Sequence, residues 1–172
     1  MATRICRLCG KVHEFSRHQA FRIQAATPGK LRRLLGGLSP QQLKRRPAPR
    51  KWSMQEIATH LLDCELAYGF RYRKILAEPG SLIVPFDQNR WADGLNYRQQ
   101  NLRATLDAFA SLRNAHMKLL AGLAPRRWRQ WARHSEYKGY RYALEPAFIH
   151  LADHDLNHLS QVRALRRRWL AR

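Results

Sequence analysis

Apolar residues recur at steps of three and four along most of the chain. Phe21, Ala25, Pro28, Leu31 and Leu35 form a first stripe, with the spacing of one helix face. Thr27 before Pro28 has the form of an N-cap followed by a proline at the first helical position, so a helix starts or kinks there. Gly36-Gly37 ends it, and Ser39-Pro40 offers one further turn. Arg46-Pro47-Ala48-Pro49-Arg50 reads as a rigid connection. Ser53 and Glu56 fit a capping box. Ile57, Leu61, Cys64, Tyr68, Tyr72 and Ile75 follow, which predicts an amphipathic helix from Met54 to Ala77. Residues 79–96 carry Pro, Gly, Asp and Asn and read as a long connection. Leu102, Leu106, Phe109, Leu112, Leu119 and Leu120 predict a third helix from Tyr97 to Ala121. Residues 122–143 read as a loop with extended character around Tyr140-Arg141-Tyr142. A fourth helix starts near Glu145-Pro146 and runs to Leu170, striped by Leu151, His154, His158, Val162, Leu165 and Trp169. Four long helical segments and no strand pattern predict an all-α fold, a four-helix bundle with long connections.

Length and composition narrow the class. The 172 residues suit one bundle domain over 21–172, preceded by a basic Cys/His-bearing extension over 1–20. At 45% hydrophobic the chain can build a core. The apolar runs are too short for a membrane span. Three Cys and no apolar leader at the start point to a reducing compartment, so a cytoplasmic protein is expected.

The formal charge of +20 is uneven. Residues 1–51 hold 13 basic and 1 acidic side chains, residues 52–125 hold 8 and 7, and residues 126–172 hold 11 and 4. Such an excess suits an anionic partner, nucleic acid among them. It equally suits a solvated Arg-rich surface, and no RNA- or DNA-reading motif accompanies it.

Two histidines interrupt the core stripe of the fourth helix. His154 and His158 are four residues apart and stack on one face, where two imidazoles can converge on one ion. A metal normally needs at least three protein ligands. His60, beside Leu61 on the second helix, lies at the edge of that helix's inward face. His150 drifts about 80° from His158 around the helix and leaves the shared face. His116 reads as a packing residue, and His134 lies in a loop that could close over the site.

Trp52-Ser53-x-x-Glu56-x-x-x-His60-Leu61-x-x-x-Glu65, followed by His154-Asp155-x-x-His158-x-x-Gln161, resembles the DinB-like superfamily. That group includes YfiT-like metal-dependent hydrolases and bacterial thiol S-transferases. The resemblance spans about Thr27 to Leu170 and implies a four-helix bundle, often dimeric, with one divalent metal. It places the family's metal ligands on His60, His154 and His158. Three imidazoles suit zinc or nickel and leave positions open for water or a thiol. Asp63, Asp155 and Gln161 are candidates for supporting contacts around the ligands. The family's frequent Ser or Thr cap before the last helix is replaced here by Ala143-Leu144.

The leader holds Cys6-x-x-Cys9 followed by His13 and His18, a set that could surround a second zinc ion or be an ordinary extension with free thiols. Three functions are in competition. The first is a metal-dependent hydrolase or thiol transferase acting on a small molecule. The second is a basic nucleic-acid-binding bundle. The third is a metal-binding stress protein without turnover.

Overall fold

Each long helix after a loop begins where a side chain satisfies its free N–H groups. Ser16 caps α1 (Arg17–Leu35), Ser53 caps α3 (Met54–Ala77) and Asn101 caps α5 (Leu102–Ala121). Ser16 and Ser53 form full capping boxes with Gln19 and Glu56. The other elements are α2 (Pro40–Lys44), β1 (Leu82–Ile83), α4 (Gln88–Gly94), β2 (Trp131–His134), β3 (Arg141–Ala143) and α6 (Leu144–Leu170). This computed structural model describes residue 12 and residues 15–136 and 138–170. Cys6, Cys9 and His13 of the leader motif lie outside them. His18 lies in the first turn of α1 and is exposed.

α1 packs against α5 and α6, and α3 packs against the same two helices. The long helices therefore form a four-helix bundle with α1 diagonal to α3. The connection over residues 36–53 crosses that diagonal. Residues 122–143 link α5 to α6 and include most of a small sheet, in which β2 pairs parallel with β1 and antiparallel with β3.

The observed boundaries depart from the sequence pattern in four places. α1 runs through Pro28, and Thr27 is no cap: its hydroxyl donates to the Ile23 carbonyl at 2.9 Å, as mid-helix threonines do. The helix also starts at Arg17, inside the segment read as an extension. The third helix begins at Leu102, because Asn101 caps it and Tyr97–Gln99 closes into a separate 3-10 turn. Finally, the two long connections are not bare loops. They hold α4, three short strands and a 3-10 turn at Pro125–Arg129. α6 starts at Leu144, so Pro146 falls in its first turn, where no N–H is needed.

The core is divided. One apolar cluster gathers Leu31, Leu35, Met54, Ile57, Leu61, Phe109, Val162 and Trp169. The other gathers Tyr68, Tyr72, Ile75, Leu120, Trp128, Phe148 and Leu151 beneath the sheet. Between them, at mid-height on all four long helices, lies a buried polar layer. Arg113 of α5 donates to Glu65 of α3 at 2.6 Å, to Asp155 of α6 at 2.6 Å and to the Gln24 carbonyl of α1 at 2.8 Å. The Nδ1 atom of His116 lies 2.6 Å from Glu65 Oε1. Pro28 explains the third bond of Arg113. A proline has no N–H, so it leaves the Gln24 carbonyl four residues earlier without its helical donor, and the guanidinium takes that place. Gly69 leaves room for the His116 ring: a Cβ there would lie 2.1 Å from its Cε1.

Candidate metal centre

The histidines singled out from the sequence meet in the groove between α3 and α6. His60 Nε2 lies 3.1 Å from His154 Nε2, which lies 3.2 Å from His158 Nε2. Ligand atoms of all three fall within 4.8 Å of one another. Helix geometry sets this up. The i, i+4 spacing stacks His154 over His158 on one face of α6, and α3 presents His60 across the groove. Metal–imidazole bonds of about 2.0–2.1 Å put two nitrogens on one ion roughly 2.8–3.4 Å apart, for angles between octahedral and tetrahedral. The two spacings here match that range, so the donor set fits a divalent ion.

The electrostatics suit the same role. Burial, with His158 nearby, pushes His60 down to about 3. Burial also lowers His154 and His158. All three rings are therefore neutral at pH 7, and a neutral imidazole is the form that offers a lone pair. Gln161 Oε1 lies 3.0 Å from His158 Nδ1. An amide oxygen accepts only, so it places the proton on Nδ1 and leaves Nε2 free to bind. The indole of Trp52 packs against the His60 ring at a tilt of 49°, with centroids 4.6 Å apart, and stacks on His158 at 6.4 Å. Trp52 thus holds two of the three rings in orientation.

The two aspartates expected near the centre turn elsewhere. Asp63 accepts from the Tyr97 hydroxyl, and burial outweighs that bond and raises its carboxyl. Asp155, one residue past His154, points into the bundle to Arg113, and burial raises it despite that cation. His116 belongs to the buried polar layer. His134 ends β2, and His150 stacks on Tyr68 with centroids 6.4 Å apart. Both line a cavity beside the three-His cluster but stay out of it.

Sequence reasoning overlooked Cys64. It stood only as a stripe position, yet its Sγ lies 3.4 Å from His60 Nε2 and 3.8 Å from His154 Nε2. Its position four residues after His60 was the available signal, since that offset puts both on one face. Burial pushes the thiol far up, so it stays protonated. Two cavities flank the cluster and share His154 and Gln88. One of about 620 Å³ is lined by Arg50, Lys51, Trp52 and His158, among others. The other, of about 200 Å³, is lined by His60, Cys64, Tyr68 and Arg71, among others.

A model of the DinB superfamily matches residues 25–162, most of the chain. The chain belongs to the DinB superfamily. Among solved structures, this DinB-superfamily chain is similar to YfiT from Bacillus subtilis. The TM-score is 0.84 at 20% identity, over 96% of this chain and 97% of that one. YfiT is described as a probable metal-dependent hydrolase with an unusual four-helix bundle topology. At this identity the likeness shows a shared fold. No curated protein sequence matches the chain.

Proposed function

We propose that the protein is a metal-dependent enzyme. It acts on a small molecule by hydrolysis or thiol transfer at a zinc or nickel ion held by His60, His154 and His158. The observation that carries this reading is the convergence of three Nε2 atoms at ligand spacing, all on neutral rings. The description of YfiT as a probable metal-dependent hydrolase supports it. A three-imidazole ion keeps coordination positions open, where it lowers the pKa of bound water or binds a thiol as thiolate. The chain supplies the rest. Gln161 fixes the His158 tautomer, Trp52 holds the rings in place, and the two flanking cavities give a substrate access from either side of His154.

The test is elemental analysis of untagged protein purified without chelator. About one equivalent of zinc or nickel is expected, falling below a tenth in His154→Ala. Metal-free wild type, or equal retention by the variant, would overturn the reading. Two equivalents would bring Cys6, Cys9, His13 and His18 in as a second site.

A further inference from the structure

Arg71 is a buried cation with no anion beside it among the described residues. It is 9% exposed and lines the smaller cavity together with His60, Cys64 and His154. Among the described residues its guanidinium forms no ion pair. It rests instead over the rings of Tyr68 at 5.1 Å and Tyr142 at 5.9 Å. Glu136, the one acid among the described residues that line the cavity, is exposed and stays out of ion-pair range. The contrast with Arg113 is instructive. Buried more deeply still, at 1% exposed, that side chain has two carboxylates and a carbonyl. A desolvated charge without a counter-charge costs several kcal/mol, and ring faces offset only part of that. Such a group is stabilised when a ligand supplies the missing negative charge.

Position ties Arg71 to the metal centre. It follows His60 by eleven residues on α3, which is about three turns, about 16 Å along the axis and only about 20° around it. Helical side chains lean toward the N-terminus, so the guanidinium leans back toward the three histidines. Both ends open onto one cavity.

We propose that Arg71 is the anion-recognising residue of this cavity, and that the small molecule acted on at the three-His centre carries a carboxylate a few bonds from its reacting atom. This rests on the metal-centre reading above. One guanidinium matches a singly charged carboxylate in fork geometry. A phosphate dianion would call for more positive charge than this cavity wall holds.

Hydroxamic acids test both ideas because the hydroxamate end binds zinc. Affinities of the zinc-loaded protein would be measured by calorimetry for neutral butyrohydroxamic acid and for the monohydroxamates of succinic, glutaric and adipic acids. At least one carboxylated probe should bind tenfold or more tightly than the neutral one. Arg71→Met should close that gap while leaving the affinity for butyrohydroxamic acid unchanged, which also shows that the variant is folded. Equal affinity across the series, or a gap that survives Arg71→Met, would overturn the proposal alone. Failure of butyrohydroxamic acid to bind in a zinc-dependent way would overturn the metal-centre reading, and this proposal with it.

Discussion

His60 joins burial, chemistry and stability in one side chain. It is 1% exposed, and in the folded protein its pKa is held at about 3, whereas an unfolded histidine titrates near 6.5. Above pH 6.5 neither state carries the proton. As pH falls through 6.5 the unfolded chain takes up a proton that the folded, metal-free protein refuses, so stability declines. The share of His60 alone is about 2 kcal/mol between pH 7 and pH 5. Urea unfolding of metal-free protein at the two pH values should show at least that loss. His60→Gln, which stays neutral throughout, should lose less by about the same amount. An unchanged midpoint in the wild type would mean that the ring takes a proton without unfolding. A bound ion adds to the effect in the same direction, because protons compete for the same lone pairs.

α1 carries a proline in its interior, where prolines ordinarily cost about 3 kcal/mol. Part of that cost is an unpaired carbonyl, and here Arg113 pairs it. Pro28→Ala is therefore expected to raise stability by less than about 1 kcal/mol in urea unfolding, since the restored N–H competes with the guanidinium for one oxygen. A gain near 3 kcal/mol would show that the Arg113 bond does not compensate. The same element marks the limit of sequence reading. Local signals at Thr27-Pro28 favour a helix start, and only a long-range partner from α5 makes continuation cheap. α3 had no such conflict: Ser53, Glu56 and the stripe to Ile75 agree, and its bounds are those the pattern predicts. The spacing of His154 and His158 was legible because helix periodicity alone puts them on one face. The approach of Cys64 to the histidines and the place of Arg71 on the cavity wall were not, because they depend on how α3 faces α6 and on where β2 and β3 close the cavity. Asp155 illustrates the converse. Its place in the motif suggested a role beside the metal, but one step along a helix turns about 100°, enough to direct it into the core.

Much of the excess charge is tied into the fold. Arg166 donates to the Leu34 and Gly36 carbonyls at 2.7 Å and so closes the C-terminal end of α1. Arg45 and Arg168 both lie over Trp169, at 4.3 and 4.9 Å, and Arg46 pairs with Glu56. These contacts give basic residues near both ends of the chain structural work that needs no nucleic acid. They do not cancel the charge, however. A net +20 on 172 residues repels itself at every separation within a Debye length. That length shrinks from about 14 Å at 50 mM salt to about 4 Å at 500 mM. The buried pairs of Arg113 are shielded from salt, whereas the surface repulsion is not. Added sodium chloride should therefore stabilise the protein over this range. Each 1 kcal/mol of relief corresponds to about 2–4 °C at this size, so a rise in Tm of about 3 °C or more is expected. Sodium chloride is the proper titrant, because sulfate would also strengthen apolar burial. A Tm that stays flat or falls would mean that surface ion pairs, which salt weakens, outweigh the repulsion. The positive charge would then be locally balanced, and the field it offers an approaching carboxylate would be correspondingly weak.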